Sequence, residues 1–132
     1  MKMTTKGRYG LRAMVELARY YEKEEFISLK SISQKQGIPE NYLERLLAKL
    51  RKASLVETHR GTQGGYRISR SPEEINVYDI LFAVGEAIYL VECTNNKSLC
   101  HMQDYCPSNV VWSKMAQQIE DVAKKTYLDE LI

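Results

Sequence analysis

Pro39-Glu40-Asn41-Tyr42-Leu43-Glu44-Arg45-Leu46-Leu47-Ala48-Lys49-Leu50-Arg51-Lys52 and, just after it, Leu55-Val56-Glu57-Thr58-His59-Arg60-Gly61-Thr62-Gln63-Gly64-Gly65-Tyr66-Arg67-Ile68 decide the fold. The first run predicts a helix over 40–52. At about 100° per residue, Leu43, Leu46, Leu47 and Leu50 share one side of it. The opposite arc carries Asn41, Tyr42, Glu44, Arg45, Ala48, Lys49, Arg51 and Lys52. The second run predicts a two-stranded ribbon, 55–60 and 66–68. Its reversal holds three glycines in five residues, a turn most side chains would forbid. A basic-faced helix beside a basic-tipped ribbon fits two adjacent grooves of duplex DNA.

Upstream, Ser28 to Gly37 reads as a short helix, with Ser28 as N-cap and Gly37 as left-handed terminator. Ile38-Pro39 is the turn, and Pro39 suits the cap or first turn of the next helix. Two helices about a glycine turn, then a ribbon, predict a winged helix-turn-helix in a mainly α fold with a small β-ribbon. An earlier helix is predicted from Thr4 or Thr5 to Tyr21, where Tyr9, Ala13, Met14, Leu17, Ala18 and Tyr21 recur at helical spacing. Lys6, Arg8 and Arg12 lie near its start, where they oppose the helix dipole. That unfavourable placement suggests an external use for the charges, and phosphate is the expected partner.

Downstream, Ser71-Pro72-Glu73-Glu74 reads as a polar turn and Asn76 as the cap of a helix from Val77 to Gly85. Residues 93–107 are polar and predict no regular structure. Beyond Pro107 comes the longest helix, with Trp112, Met115, Ile119 and Val122 at 3-4-3 spacing, widened by Val111 and Ala123. That seam packs either on the chain's own core or on a second copy. The second copy is favoured, because helix-turn-helix proteins commonly read paired half-sites as two-fold dimers. Thr126-Tyr127-Leu128-Asp129 resembles a capping box before a short final helix. The expected organisation is a DNA-binding region over 1–85, a cysteine loop over 86–107 and a dimerisation segment over 108–132, with the first helix shared with the dimer interface.

Net charge is only +2, yet residues 1–70 hold 15 Lys and Arg against 7 Asp and Glu, and residues 71–132 hold 4 against 10. A basic half joined to an acidic half assigns nucleic acid to one end and another purpose to the other. No apolar run reaches the roughly 18 residues of a membrane span. No signal-peptide core is visible at the N-terminus, so a cytoplasmic location is expected. There is no phosphate loop, no nucleophile with a recognisable base and no paired carboxylates at useful spacing, so an enzyme is not expected.

Cys93, Cys100 and Cys106 follow a Cys-x6-Cys-x5-Cys pattern. An odd count in a reducing compartment argues against a disulfide framework. Thiolates suit zinc and iron–sulfur centres, and these gaps are wider than the Cys-x2-Cys of most zinc fingers. A cluster normally needs four ligands. His101 is the nearest fourth donor, with Asp104 and Asn109 weaker.

Thr4-Thr5-Lys6-Gly7-Arg8-Tyr9-Gly10, Tyr42-Leu43-Glu44, Leu50-Arg51-Lys52 and Arg60-Gly61-x-x-Gly64-Gly65-Tyr66 together resemble the iron–sulfur cluster regulator (IscR) family. Its relatives include the nitric-oxide sensor NsrR and the cysteine-metabolism regulator CymR. The resemblance covers essentially the whole chain. It implies a homodimeric winged-helix transcription regulator, with repression as the expected mode, on a pseudo-palindromic double-stranded operator. It implies an iron–sulfur cluster on Cys93, Cys100 and Cys106, a 2Fe-2S cluster ahead of 4Fe-4S. In the family's namesake a histidine three residues after the last cysteine completes the site; here that residue is Asn109. Some NsrR-type members use an N-terminal carboxylate of the partner subunit, and Arg8 and its neighbours offer none. The resemblance also puts Asn41, Tyr42 and Glu44 at the major groove and Arg60 and Gly61 at the minor groove. Glu can accept from cytosine N4, Asn can pair with adenine, and guanidinium suits a narrow A-tract groove. Two other readings stand beside this one. One is a regulator of cysteine and sulfur metabolism controlled by a protein partner such as cysteine synthase. The other is a zinc or thiol redox switch.

Overall fold

Thr4 opens the first helix: its side-chain oxygen accepts a hydrogen bond from Gly7 N at 3.4 Å, and α1 runs Thr5–Ala18. The computed structural model describes residues 1–61, 64–96, 102 and 106–132. Periodicity predicts α1 on to Tyr21, three residues too far. After Ala18 the chain tightens to i→i−3 hydrogen bonds, Tyr20 N to Leu17 O at 3.1 Å and Tyr21 N to Ala18 O at 3.2 Å. It then turns at Glu24, whose φ is 54°. Tyr21 still packs on the core, which is why it matches the helical spacing.

α2 (Leu29–Gln36) begins and ends as the sequence predicts. Ser28 accepts from Ser31 N at 3.1 Å, and Gly37 takes a left-handed φ of 65°. Arg12 of α1 closes the same end, donating from Nη2 to the Gln36 carbonyl and from Nε to Gln36 Oε1 at 3.2 Å. α3 (Glu40–Lys52) follows with Pro39 at its cap position. Leu43, Leu46, Leu47 and Leu50 are all buried. Each stabilises the packed state by roughly 1.5–3 kcal/mol relative to exposure. They meet Met14 and Leu17 of α1, Ile32 of α2 and Ile80, from a later helix, in one core.

β1 (Val56–His59) and β2 (Gly65–Ile68) pair antiparallel, with Val56 opposite Ile68 and Thr58 opposite Tyr66. The first strand is shorter than the predicted 55–60, because Leu55 N is taken by Leu50 O at 3.0 Å. Ile27 adds a bridge on the far side of β2, bonding Tyr66 in both directions at 2.8 Å. A β-carbon at Gly65 would stand 2.4 Å from the Ile27 carbonyl oxygen, so the close approach demands glycine there. α1, α2, α3 and this ribbon form a winged helix-turn-helix.

α4 spans Val77–Ala83 and stops short of the predicted Gly85, which turns the chain with a φ of 85°. Asn76 caps it, its Oδ1 accepting from Asp79 N at 2.8 Å. Asn76→Ala is expected to lower stability by about 1 kcal/mol, read as an earlier urea midpoint at unchanged slope. Residues after α4 return to α1. Glu86 is buried and accepts from Thr4 Oγ1 and from Thr4 N, the latter at 3.3 Å. Gly7 and Gly10 clear the space, since β-carbons there would press on Glu86 and Val84.

The predicted irregular stretch 93–107 needs correction at its start. Cys93 lies in a short helix, α5 (Glu92–Asn95), with Thr94 Oγ1 donating back to Val91 O at 2.7 Å. α6 is the longest helix, Pro107–Lys125, 19 residues. The capping box at 126–129 is not formed. Thr126 donates its hydroxyl to Val122 O at 2.7 Å, and the closing 3-10 turn Leu128–Leu131 is led by Tyr127 with no side-chain cap. Tertiary hydrogen bonds take that segment instead: Val77 N to Thr126 O and Leu128 N to Ile75 O, both 2.9 Å. They bury Leu128 in the common core.

Candidate nucleic-acid interface and thiol site

The polar arc of α3 faces away from the leucine side, as its periodicity requires. Asn41 and Glu44 are exposed on it. Tyr42 is half-buried, its ring edge-on to Tyr9 of α1 at 5.8 Å and 86°. The guanidinium groups of Arg8 and Arg12 lie 5.9 Å and 5.7 Å from the Tyr9 ring centre. Tyr42 therefore ties the start of α3 to a basic patch on α1. Arg12 is already engaged with Gln36, whereas Arg8 makes an exposed bond to Thr5 at 3.3 Å. Lys6, two residues from Arg8, falls on another side of the helix. It is half-buried and lines a hollow with Thr4, Gly85, Glu86 and Tyr89.

Glu16, a buried carboxylate, ties α1 to the end of α2. Gln36 Nε2 donates to it at 2.8 Å, and Arg19 and Lys35 stand at 3.2 Å and 3.7 Å. These bonds lock α1 to the end of α2 that feeds the turn into α3. Sequence reading passes over Glu16, since a charged residue on an apolar face reads as an exception until its partners are visible.

Along the ribbon, side chains alternate between two faces. On the outer face, Arg67 Nε donates to Glu57 at 2.8 Å and its guanidinium lies 4.6 Å over the Phe26 ring. On the inner face, Val56 and Ile68 enter the core, and the next cross-strand pair outward is Thr58 and Tyr66. These two face α3 across a cleft of about 430 Å³ lined by Glu44, Ala48, Arg51, Lys52, Thr58 and Tyr66. Burial pushes the Tyr66 phenol above its usual range, with the Glu44 carboxylate adding to the shift and Arg51 opposing it. It therefore remains a protonated donor at neutral pH. Sequence reading misses Thr58 and Tyr66 as surface groups, although the period-two step from Val56 and Ile68 marks them. Arg60 and Gly61 are exposed at the ribbon tip, Gly61 with a φ of 127°. Thr62 and Gln63 lie outside the described residues.

Cys93 and Cys106 are half-buried free thiols. α5, which carries Cys93, packs against α6, whose N-cap is Cys106. Cys100, His101 and Asp104 lie outside the described residues. Asn109, one turn into α6, has a buried Nδ2 with no hydrogen-bond partner among the described residues. Cys93 on α5, Cys106 at the head of α6 and the Asn109 N–H are the donors that the described residues offer a sulfur-ligated metal group; the Asn109 amide would donate to sulfur rather than ligate.

α6 turns only Ala123 fully inward, with Ala116 and Glu120 half-covered. Its large apolar side chains, Val110, Val111, Trp112, Met115, Ile119 and Val122, stand outside the chain's own core, Val122 being 67% exposed. Phe82 of α4, 70% exposed, stacks on Tyr78 at 6.1 Å across a hollow from Glu120. No helix among the described residues is long and apolar enough to cross a membrane.

A family model described as an iron-dependent transcriptional regulator, Rrf2, matches residues 3–132. The HTH-type transcriptional regulator IscR of Pectobacterium atrosepticum is 36% identical over all 132 residues, which span 79% of its length. The solved structure of T. potens IscR matches with a TM-score of 0.81 at 40% identity, over 99% of this chain and 85% of that one. CymR, the global cysteine regulator of B. subtilis, matches with a TM-score of 0.83 at 36% identity, over 99% and 95%. These relatives are named as regulators and not as enzymes. A winged helix-turn-helix with a basic reading face and whole-chain relatives of this kind identify the chain as a member of the Rrf2 family of DNA-binding transcriptional regulators.

Proposed function

We propose that the chain works as a cytoplasmic homodimer that reads a pseudo-palindromic operator and takes its signal from an iron–sulfur cluster on Cys93, Cys100 and Cys106. In this reading residues 1–85 bind DNA, 86–107 hold the cluster and 108–132 dimerise. The observation that supports it is that α5, which carries Cys93, packs on α6, whose N-cap is Cys106, with both thiols half-buried and free. A cluster bound there would supply a centre reactive toward oxygen, nitric oxide or iron supply. The three thiolates hold it, a two-iron form is favoured, and His101 or a donor from outside the loop completes the set. Protein purified without air should be brown and absorb visible light. A colourless protein would remove the cluster from the reading.

On the DNA side, Asn41, Tyr42 and Glu44 read the major groove, Arg60 and Gly61 enter the minor groove, and Arg8 adds positive charge toward phosphate; Lys6, on another side of α1 beside Glu86, has less support for the same role. Exposure of Asn41, Glu44, Arg60 and Arg8 supports those roles. Arg60→Ala is expected to weaken specific binding by about 1–3 kcal/mol without unfolding the protein. Unchanged affinity in a titration would remove Arg60 from the minor groove. The close match to CymR, over 95% of that chain, supports a second reading. There a protein partner such as cysteine synthase controls a regulator of sulfur metabolism and the thiols carry no cluster. Colourless protein whose DNA binding responds to such a partner is its outcome.

A further inference from the structure

A helix in the major groove and a ribbon tip in the adjacent minor groove leave one path for the sugar–phosphate strand that separates the grooves. It must run between them. In this chain that path is the cleft between α3 and the inner face of the ribbon, lined by Glu44, Ala48, Arg51, Lys52, Thr58 and Tyr66. We propose that this cleft is a clamp for a single DNA backbone phosphate, with Arg51 and Lys52 supplying charge and the Tyr66 and Thr58 hydroxyls donating hydrogen bonds. The proposal rests on the reading that α3 and the wing straddle two grooves, and it adds residues to which that reading gives no role.

The chemistry of the lining supports this use. The inner face of the ribbon is apolar where it meets the core, at Val56 and Ile68, and becomes hydroxyl-bearing one pair further out, at Thr58 and Tyr66. A ribbon that served only to pack would end in another apolar pair or in charge. Instead the Tyr66 ring is half-buried against the core while its hydroxyl reaches the field of both Glu44 and Arg51. Its backbone is pinned to Ile27 by two hydrogen bonds of 2.8 Å, so the donor is positioned before any ligand arrives. The cations of the last turn of α3, Lys49, Arg51 and Lys52, also suit the helix dipole. That effect accounts for their charge but not for the two hydroxyls opposite. Ala48, small and central, opens the floor between them. Glu44 lies two turns before Arg51, about 10 Å along the axis. The cleft is thus acidic toward the bases and basic toward its far end, which holds a phosphate at the Arg51–Lys52 end.

The test uses the full chain and a duplex bearing the site that the wild-type protein selects from a randomised pool. Arg51→Ala should reduce the slope of log K against log salt by about 0.9, the release of one counter-ion. Tyr66→Phe keeps the ring and removes only the hydroxyl, so the fold should stand. It should weaken binding roughly tenfold, as for a lost hydrogen bond to a charged group, with unchanged base preference. Ethylating phosphates one at a time should reveal one position per half-site that hinders the wild type. The two variants should be insensitive to ethylation there. Wild-type affinity, slope and ethylation pattern in both variants, alongside weakened binding in Arg60→Ala, would overturn the clamp and leave the groove reading intact. Failure of the wild-type protein to select any duplex would overturn both.

Discussion

Met115→Asp should turn a dimer into monomers and lower affinity for a palindromic duplex by roughly 100- to 10,000-fold, the advantage that linking two binding modules confers. Met115 lies mid-way along α6, on the side that the chain's own core leaves uncovered. In a single chain the aspartate would be solvated, so the monomer's stability should change by no more than about 0.5 kcal/mol. At a dimer seam it would be an unpaired charge among Trp112, Ile119 and Val122, which is strongly unfavourable. Sedimentation gives the mass and circular dichroism checks the fold. An intact dimer at low micromolar concentration would mean that α6 is not the seam.

Cys93→Ala, Cys100→Ala and Cys106→Ala should each abolish the visible absorption of protein purified without air. Loss of one of three thiolates leaves too few sulfur donors to hold a cluster. His101→Ala should keep most of the colour. His101 directly follows Cys100 in the chain, and adjacent side chains often diverge, so an external or cross-subunit donor is the expected fourth ligand. A donor of that kind would exchange more readily than a fourth residue of the loop, which would make the centre labile. Complete loss of colour in a folded His101→Ala protein would instead make His101 the fourth ligand.

Local chemistry makes some elements legible in the residues alone. Ser28, Gly37 and Asn76 act on backbone groups within three or four residues of themselves, and each does what its type and position predict. The four leucines of α3 are legible because their spacing repeats the helical period, and all four are buried. Failures come where distant parts of the chain compete for the same groups. Thr126 reads as a cap, yet its carbonyl is claimed by Val77 and its hydroxyl by Val122. Helical spacing does not mark the end of α1, because Tyr21 packs on the core from a turn. Periodicity finds the apolar side of α6 apart from Ala123, which it puts on the seam and which turns into the core; it does not say what covers the rest, and exposure of Met115 and Val122 answers for the chain's own core. Among the site residues, exposed Asn41 and Arg60 are visible by position, whereas Tyr66 and Thr58 are marked by the period-two step alone, and the cleft they share with Arg51 is visible only in the fold.

The hydrogen bonds joining Ile75 and Val77 to Leu128 and Thr126 hold one end of α6 to the core, while its other end begins at Cys106. Its 19 residues make a rod about 28 Å long. Pivoted at the fixed end, a tilt of about 5° moves the thiol end by roughly 2.4 Å over that length. That displacement approaches the rise of about 3.4 Å between neighbouring base pairs. Two copies joined along such rods would form a caliper whose jaws are the two reading helices. Its gap would then follow the tilt of α6.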